Sequence, residues 1–224
     1  MEVLIPKITI QVNEKIYIKN PESSDLGRRI VEGSIDLINE IGFEAFTFRK
    51  LGVELQSTEA SIYRYFESKH KLLLYLISWY WHWMEYKVVF GLANIESPYE
   101  RLTKAIRILT EEITEDSNFS HINEIKLNKI VISESSKAYL TKCVDQENEI
   151  GSYSVFKQLV ERISDIILEI NPKYNYPHML VSTIIEGAHL QRYFAEHLPR
   201  LTDVSEEEDL ITSFYDELVL KAIK

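Results

Sequence analysis

Between Thr47 and Lys69 the chain concentrates side chains that donate hydrogen bonds to phosphate oxygens: Thr47, Arg49, Thr58, Ser61, Tyr63, Arg64, Tyr65 and Lys69. Hydroxyls, phenols and cations set close together suit the backbone contacts that position a protein on nucleic acid. Lys69 opens a helix, where free N–H groups also attract a phosphate. Each has a plainer role available: Thr47 and Thr58 are good helix N-caps, Tyr65 suits partial burial, and Arg64 and Lys69 suit a solvated surface.

Three other constellations offer chemistry. Glu186 and His189 have the Glu-x-x-His spacing of helical di-iron sites, which need two such pairs and two further Glu. The other neighbours, His82 with Glu85 and His121 with Glu124, run in reverse order, so no metal ligand is assigned and the pair reads as helix surface or pocket lining. The aromatic run Trp79, Tyr80, Trp81, Trp83, Tyr86 and Phe90 points around most of a helix. Such a helix is buried in a core or walls a cavity, and a pocket of Trp79, Trp83, Tyr86, Phe90, Glu186 and His189 is the functional reading. Cys143 stands in no motif, and no Gly-rich phosphate loop, Gly-x-Ser-x-Gly elbow or His-Glu-x-x-His run occurs. No catalytic residue, metal or cofactor is expected, and the chain is not read as an enzyme.

The elements that must position these residues are helical. The chain of 224 residues has only 7 Gly and 6 Pro, too few for the turns of a many-stranded sheet. Leu26, Ile30, Leu37, Ile38 and Ile41 follow the helical period after Ser23 and Ser24, and Gly42 marks the end. A Thr47-capped helix then carries Phe48, Leu51 and Leu55 inward. After the break Gln56-Ser57-Thr58, a third carries Ala60, Ile62 and Phe66, which makes a helix-turn-helix. Ser68 caps a long helix to about Asn94, and Ser97-Pro98 opens the next. Residues 116–151 suggest helices over 122–132 and 137–144. Further helices are expected over 152–170, 177–197 and from Ser205. In front of all these, alternation at Ile8, Ile10, Val12, Ile16 and Ile18 about Asn13-Glu14 predicts a short β-hairpin. Its five β-branched residues imply packing against the body, with phosphate contact by Lys7, Lys15 and Lys19 secondary.

Charge narrows where an anionic partner could bind. The net charge is −10, yet the first 75 residues hold 10 Lys+Arg against 11 Asp+Glu, leaving 15 against 24 for the rest. A nucleic-acid site therefore belongs to the first third. The single cysteine fits a reducing, cytoplasmic compartment. The longest apolar stretch, residues 72–81, is half of what a membrane helix needs, and the N-terminus has no signal-peptide pattern.

The segment 47–69, above all Ser61-Ile62-Tyr63-Arg64-Tyr65-Phe66-Glu67-Ser68-Lys69, resembles the DNA-binding segment of the tetracycline-repressor-like (TetR) transcriptional regulators. The resemblance covers about residues 28–75 by motif and the remainder by helix order. It implies an all-α homodimer with a three-helix helix-turn-helix domain over 23–70 and a larger ligand-binding and dimerisation domain over 71–224, here with residues 1–22 as a hairpin extension. It implies a regulator, read as a repressor, that binds a pseudo-palindromic double-stranded operator through Thr47, Arg49, Thr58, Glu59, Ser61, Tyr63, Arg64, Tyr65 and Lys69, and is released by a small apolar or aromatic effector. Met179, Ile184, Leu190, Phe194, Leu210, Phe214 and Leu218 are the expected dimer surface. Three positions depart from the family: Gln56 stands where glycine is usual in the turn, Ser57 where an apolar residue is usual, and Glu59 where lysine is frequent. Glu59 cannot hold a phosphate; it accepts from cytosine N4 or faces away. A helical di-iron-type enzyme and a helical interaction module without DNA binding remain the alternatives.

Overall fold

The structure, a computed structural model, describes residues 10–115 and 121–224. In chain order its helices are α1 (Asp25–Ala45), α2 (Phe48–Glu54), α3 (Glu59–Tyr63), α4 (Lys69–Gly91), α5 (Pro98–Thr110), α6 (Glu124–Glu134), α7 (Ser136–Tyr139), α8 (Val144–Glu149), α9 (Ser154–Ile170), α10 (Pro177–His197) and α11 (Leu210–Ala222), with three 3-10 turns. The fold is all-α, and no strand occurs among the described residues. No helix of these residues is long and apolar enough to cross a membrane. The chain forms two compact units, residues 1–82 with 113–153, and residues 83–112 with 154–224.

The first unit is built on α1. Ser24 caps it by accepting from the Gly27 N–H, and the helix path breaks at Gly42, whose φ of +77° suits glycine. The chain then turns Phe43 and Phe46 into the core, both nearly inaccessible. From Leu72 to Trp81 every residue of α4 is buried, the behaviour of a helix apolar on all sides. α6 lies along α1: the Asn39 amide donates to the Lys126 carbonyl at 2.9 Å, and Lys126 Nζ stands 2.7 Å from Asp36. Lys137 of α7 reaches Glu44 at 2.9 Å and Glu134 at 2.7 Å. α8 supplies a buried carboxylate, Glu147, with His70 Nε2 at 2.8 Å, the Tyr153 hydroxyl at 2.9 Å and Lys71 Nζ at 3.4 Å. A buried charge needs such partners to offset its lost hydration.

The described part of the expected hairpin is not a hairpin. Residues 14–16 form a 3-10 turn capped by Asn13, whose φ is −52°. A two-residue hairpin turn of the common type requires positive φ at both central residues, and Asn13-Glu14 does not adopt it. The Asn13 side chain instead accepts from Lys15 N–H and donates to the Ile150 carbonyl at 2.8 Å. Ile10, Val12 and Ile16 are buried while Ile18 is exposed, and the Ile18 N–H donates to the Tyr65 carbonyl at 2.8 Å. The segment is a strap laid over the first unit by its apolar residues. Residues 4–9 of the expected first strand, with Lys7 and Ile8, lie outside the described residues.

In the second unit α5, α9, α10 and α11 pack around Leu102, Ile106, Leu159, Ile163, Ile185 and Val219, all fully buried. Arg101 Nη2 lies 2.6 and 2.7 Å from the two Glu169 carboxylate oxygens and joins α5 to α9. The last helix starts five residues later than the sequence suggests. Asp209 caps it, one carboxylate oxygen accepting from the Thr212 N–H and the other taking Arg192 at 2.6 Å. Since this doubly used cap fixes the start, residues 205–208 remain exposed outside the helix.

Candidate DNA-reading site

α2 and α3 each begin on a threonine. Thr47 accepts from the Lys50 N–H and Thr58 from the Ser61 N–H, both at 3.2 Å, and the Thr58 and Ser61 hydroxyls are 2.8 Å apart. Between the helices the Ser57 N–H donates to the Gly52 carbonyl at 2.8 Å. This closeness explains Gly52: a Cβ there would stand 3.0 Å from the Ser57 carbonyl oxygen and 3.3 Å from the Glu59 nitrogen. Gln56 turns the corner with φ at +51°, the left-handed conformation that side chains other than glycine adopt at a cost of about 1–2 kcal/mol. Glycine there removes that cost but loses more chain entropy on folding. Gln56→Gly is therefore expected to stabilise the protein by about 0.5–1 kcal/mol in urea unfolding; an unchanged or lowered midpoint would contradict the strain.

Phe48, Leu51 and Ile62 face inward and are buried. Tyr63 lays its ring edge-on to Phe48, centroids 4.9 Å apart, and remains about half exposed. Arg49, Glu59, Ala60 and Arg64 are exposed. Thr47, Arg49, Thr58, Glu59, Ser61, Tyr63 and Arg64 thus all lie on one small helical unit with accessible polar groups, although Thr47, Thr58 and Ser61 also serve as caps.

Tyr65 and Lys69 are placed differently. Tyr65 is 4% exposed, its hydroxyl 2.7 Å from Ser24 Oγ and 3.4 Å from Lys19 Nζ. The Ser24 hydrogen bond, with the Lys19 ammonium, holds its phenol below the usual range. Lys69 directs its ammonium at the carbonyls of Phe43, Glu44 and Phe46, at 3.1, 3.3 and 3.4 Å, above the Phe43 ring at 4.8 Å. A lysine so placed satisfies carbonyls left without partners at the end of α1. Both residues brace the motif, a use the sequence hid because their acceptors come from distant residues.

The expected pocket residues are divided between the two units. Trp79 is buried in the first unit; Trp83 and His189 are buried in the second, where Tyr86 is half-buried and Phe90 is 64% exposed. Phe90 accordingly contributes surface, its ring 4.5 Å from that of Tyr86. Burial pushes the His189 imidazole down to about 4, so it is neutral at pH 7. Open grooves of about 530 and 330 Å³ on the second unit include none of the six residues. Among the described residues no three His, Cys, Asp or Glu side chains gather as metal ligands, and His121 is paired with Glu22 at 2.9 Å.

Of the expected dimer surface, Met179, Leu190 and Phe214 are more than half exposed, and Phe194, Leu210 and Leu218 are half-buried. Ile184 is fully buried within its own unit and belongs to the core, because its turn of α10 faces α5 and α9. The exposed Tyr193, Leu198 and Leu201 extend the apolar surface. Tyr193, three positions beyond Leu190, was legible from helical spacing alone.

Residues 30–76 match the family model of bacterial regulatory proteins, tetR family. No curated protein sequence matches the chain. Solved structures of similar fold include the following three. A tetR-family regulatory protein from Rhodococcus RHA1 is 14% identical, with a TM-score of 0.60 over 89% of this chain and 97% of that one. AibR in complex with isovaleryl coenzyme A and operator DNA is 15% identical, with a TM-score of 0.59 over 85% and 97%. The superantigen PfiT is also 15% identical, with a TM-score of 0.59 over 91% and 97%. Such low identities establish fold and leave function to the site. The family model falls on the residues whose threonine-capped helices and tight turn are described above: the chain carries the N-terminal helix-turn-helix domain of the tetR family of bacterial regulatory proteins, on a TetR-like all-α fold.

Proposed function

We propose that the chain is a transcriptional regulator, acting as a repressor, that binds a pseudo-palindromic operator as a homodimer and is released when a small effector binds the helical region 71–224. The observation that carries this reading is the helix-turn-helix itself, which presents Arg49, Tyr63 and Arg64 on the outside of capped helices. Cations and a phenol on such a unit hold the DNA backbone, and α3 enters the major groove. The net charge of −10 does not oppose this, because the acidic excess lies beyond residue 75. That AibR was solved with isovaleryl coenzyme A and operator DNA supports a small-molecule effector and a duplex-DNA partner for a chain of this fold. The reading excludes catalysis and places the protein in the cytoplasm with its DNA.

The test is duplex-DNA binding as a function of salt. The affinity is expected to fall linearly on logarithmic axes, and Arg49→Ala to reduce the slope by about one unit per subunit while weakening all sequences alike. Tyr63→Phe should weaken all sequences with little change of slope. Lys69→Ala is expected to lower the unfolding temperature and leave the slope nearly unchanged, because its ammonium is held by three carbonyls. Binding that ignores salt, or no binding by the unmodified protein, overturns the assignment.

A further inference from the structure

α3 presents an unusual set of exposed side chains for a helix that meets DNA. Glu59, Ala60, Tyr63 and Arg64 are exposed, while Ile62 is directed into the core. Glu59 opens the helix, and no hydrogen bond or ion pair reaches its carboxylate among the described residues. Beside a polyanion that carboxylate is repelled by every phosphate it approaches, so its tolerated place is against a base edge that offers a hydrogen-bond donor.

In the major groove only cytosine N4 and adenine N6 are donors. Guanine presents N7 and O6 and thymine presents O4, all acceptors that repel a carboxylate. Adenine N6 lies between two acceptors, its own N7 and the O4 of the paired thymine. Cytosine N4 has an acceptor on one side only, the guanine O6, with the apolar C5–H on the other. A carboxylate therefore discriminates chiefly by rejecting three bases, which is specificity through repulsion.

We propose that Glu59 selects a cytosine in each operator half-site by accepting a hydrogen bond from its N4 amino group. This rests on the DNA-binding reading and deepens it, assigning to one exposed residue a base preference that the family resemblance does not supply. Ala60, beside it, is small enough to let α3 approach the groove floor. Arg64, one turn further on, supplies the opposite charge.

The experiment is binding selection from randomised duplex DNA with the unmodified full chain, Glu59→Gln and Glu59→Ala. Thermal melts first verify that each variant is folded, as expected for an exposed position. The unmodified protein is expected to enrich cytosine at one position per half-site. Glu59→Gln should move the preference there to adenine, because an amide both accepts from N6 and donates to N7, with a change on the order of tenfold to a hundredfold in relative affinity. Glu59→Ala should lose the preference at that position and keep the rest of the site. The proposal is overturned if Glu59→Ala selects the same sites as the unmodified protein and binds every duplex more tightly by a common factor, the result for a carboxylate that only repels. It also fails, leaving the DNA-binding reading intact, if the unmodified protein enriches a palindrome without that cytosine. If the unmodified protein enriches no site and shows no salt-dependent binding, the DNA-binding reading itself fails and takes this proposal with it.

Discussion

Phe214→Glu is expected to separate the subunits of the proposed homodimer at micromolar concentration. Phe214 is 56% exposed on α11, and Met179 and Leu190 are 67% and 52% exposed on α10. The two helices pack closely within the second unit, since a Cβ at Gly187 would collide with the Tyr215 hydroxyl. Their outer surface thus presents large apolar side chains from neighbouring helices on a single unit. Half-exposed side chains of this size gain about 1 kcal/mol each when covered. In a two-fold interface every substitution acts twice, so two phenyl groups are lost and two carboxylates must be desolvated. Together these are expected to weaken association by at least about 4 kcal/mol, roughly a thousandfold in dissociation constant. Sedimentation velocity checks this, with Ile184→Val as a control that should reduce stability without separating the subunits. A stable monomer of the unmodified protein, or an intact dimer of Phe214→Glu, would sink the interface.

Acidification should destabilise the protein through His189. Burial lowers its imidazole pKa from the ordinary 6.5 to about 4. In the unfolded chain the ring takes up its proton below 6.5, whereas in the folded protein it stays neutral until about 4. The unfolded state therefore binds more protons between these values, and stability falls as the pH falls. The contribution is fully present above pH 6.5 and lost by about pH 4, amounting to about 3 kcal/mol. Urea unfolding from pH 7.5 to 4 should show this loss in the unmodified protein. A His189→Leu variant, whose side chain does not titrate, should show a profile flatter by about that amount. Parallel profiles for the two proteins would remove His189 as the source.

The helix-turn-helix was legible in the sequence because its determinants are local. Thr47 and Thr58 each accept from the N–H three residues ahead, and Gln56 takes the left-handed corner in the four residues that separate the two helices. The starts of α5 at Pro98 and α10 at Pro177 were equally local, since proline is accommodated in a first helical turn. The all-α class followed from composition and the 3.6-residue period.

What the sequence by itself determined were the helices, their caps, the tight turn and the family of the first domain, all consequences of interactions within a few residues of one another. Only the tertiary structure decided the rest. The strap alternates like a strand yet pairs with no strand among the described residues; Ile10, Val12 and Ile16 settle into the body while Asn13 bonds to Ile150, 137 positions away. Tyr65 and Lys69 have the chemistry of phosphate contacts, but folding sets the Tyr65 hydroxyl against Ser24 Oγ and aims the Lys69 ammonium at carbonyls at the end of α1. Ile184 has the pattern of an interface residue, but α10 is apolar on more than one side, and packing against α5 and α9 chose which side is inside. In each case the side chain's type fixed what it can bond to, and distant parts of the chain, brought near by folding, fixed which of those bonds it makes.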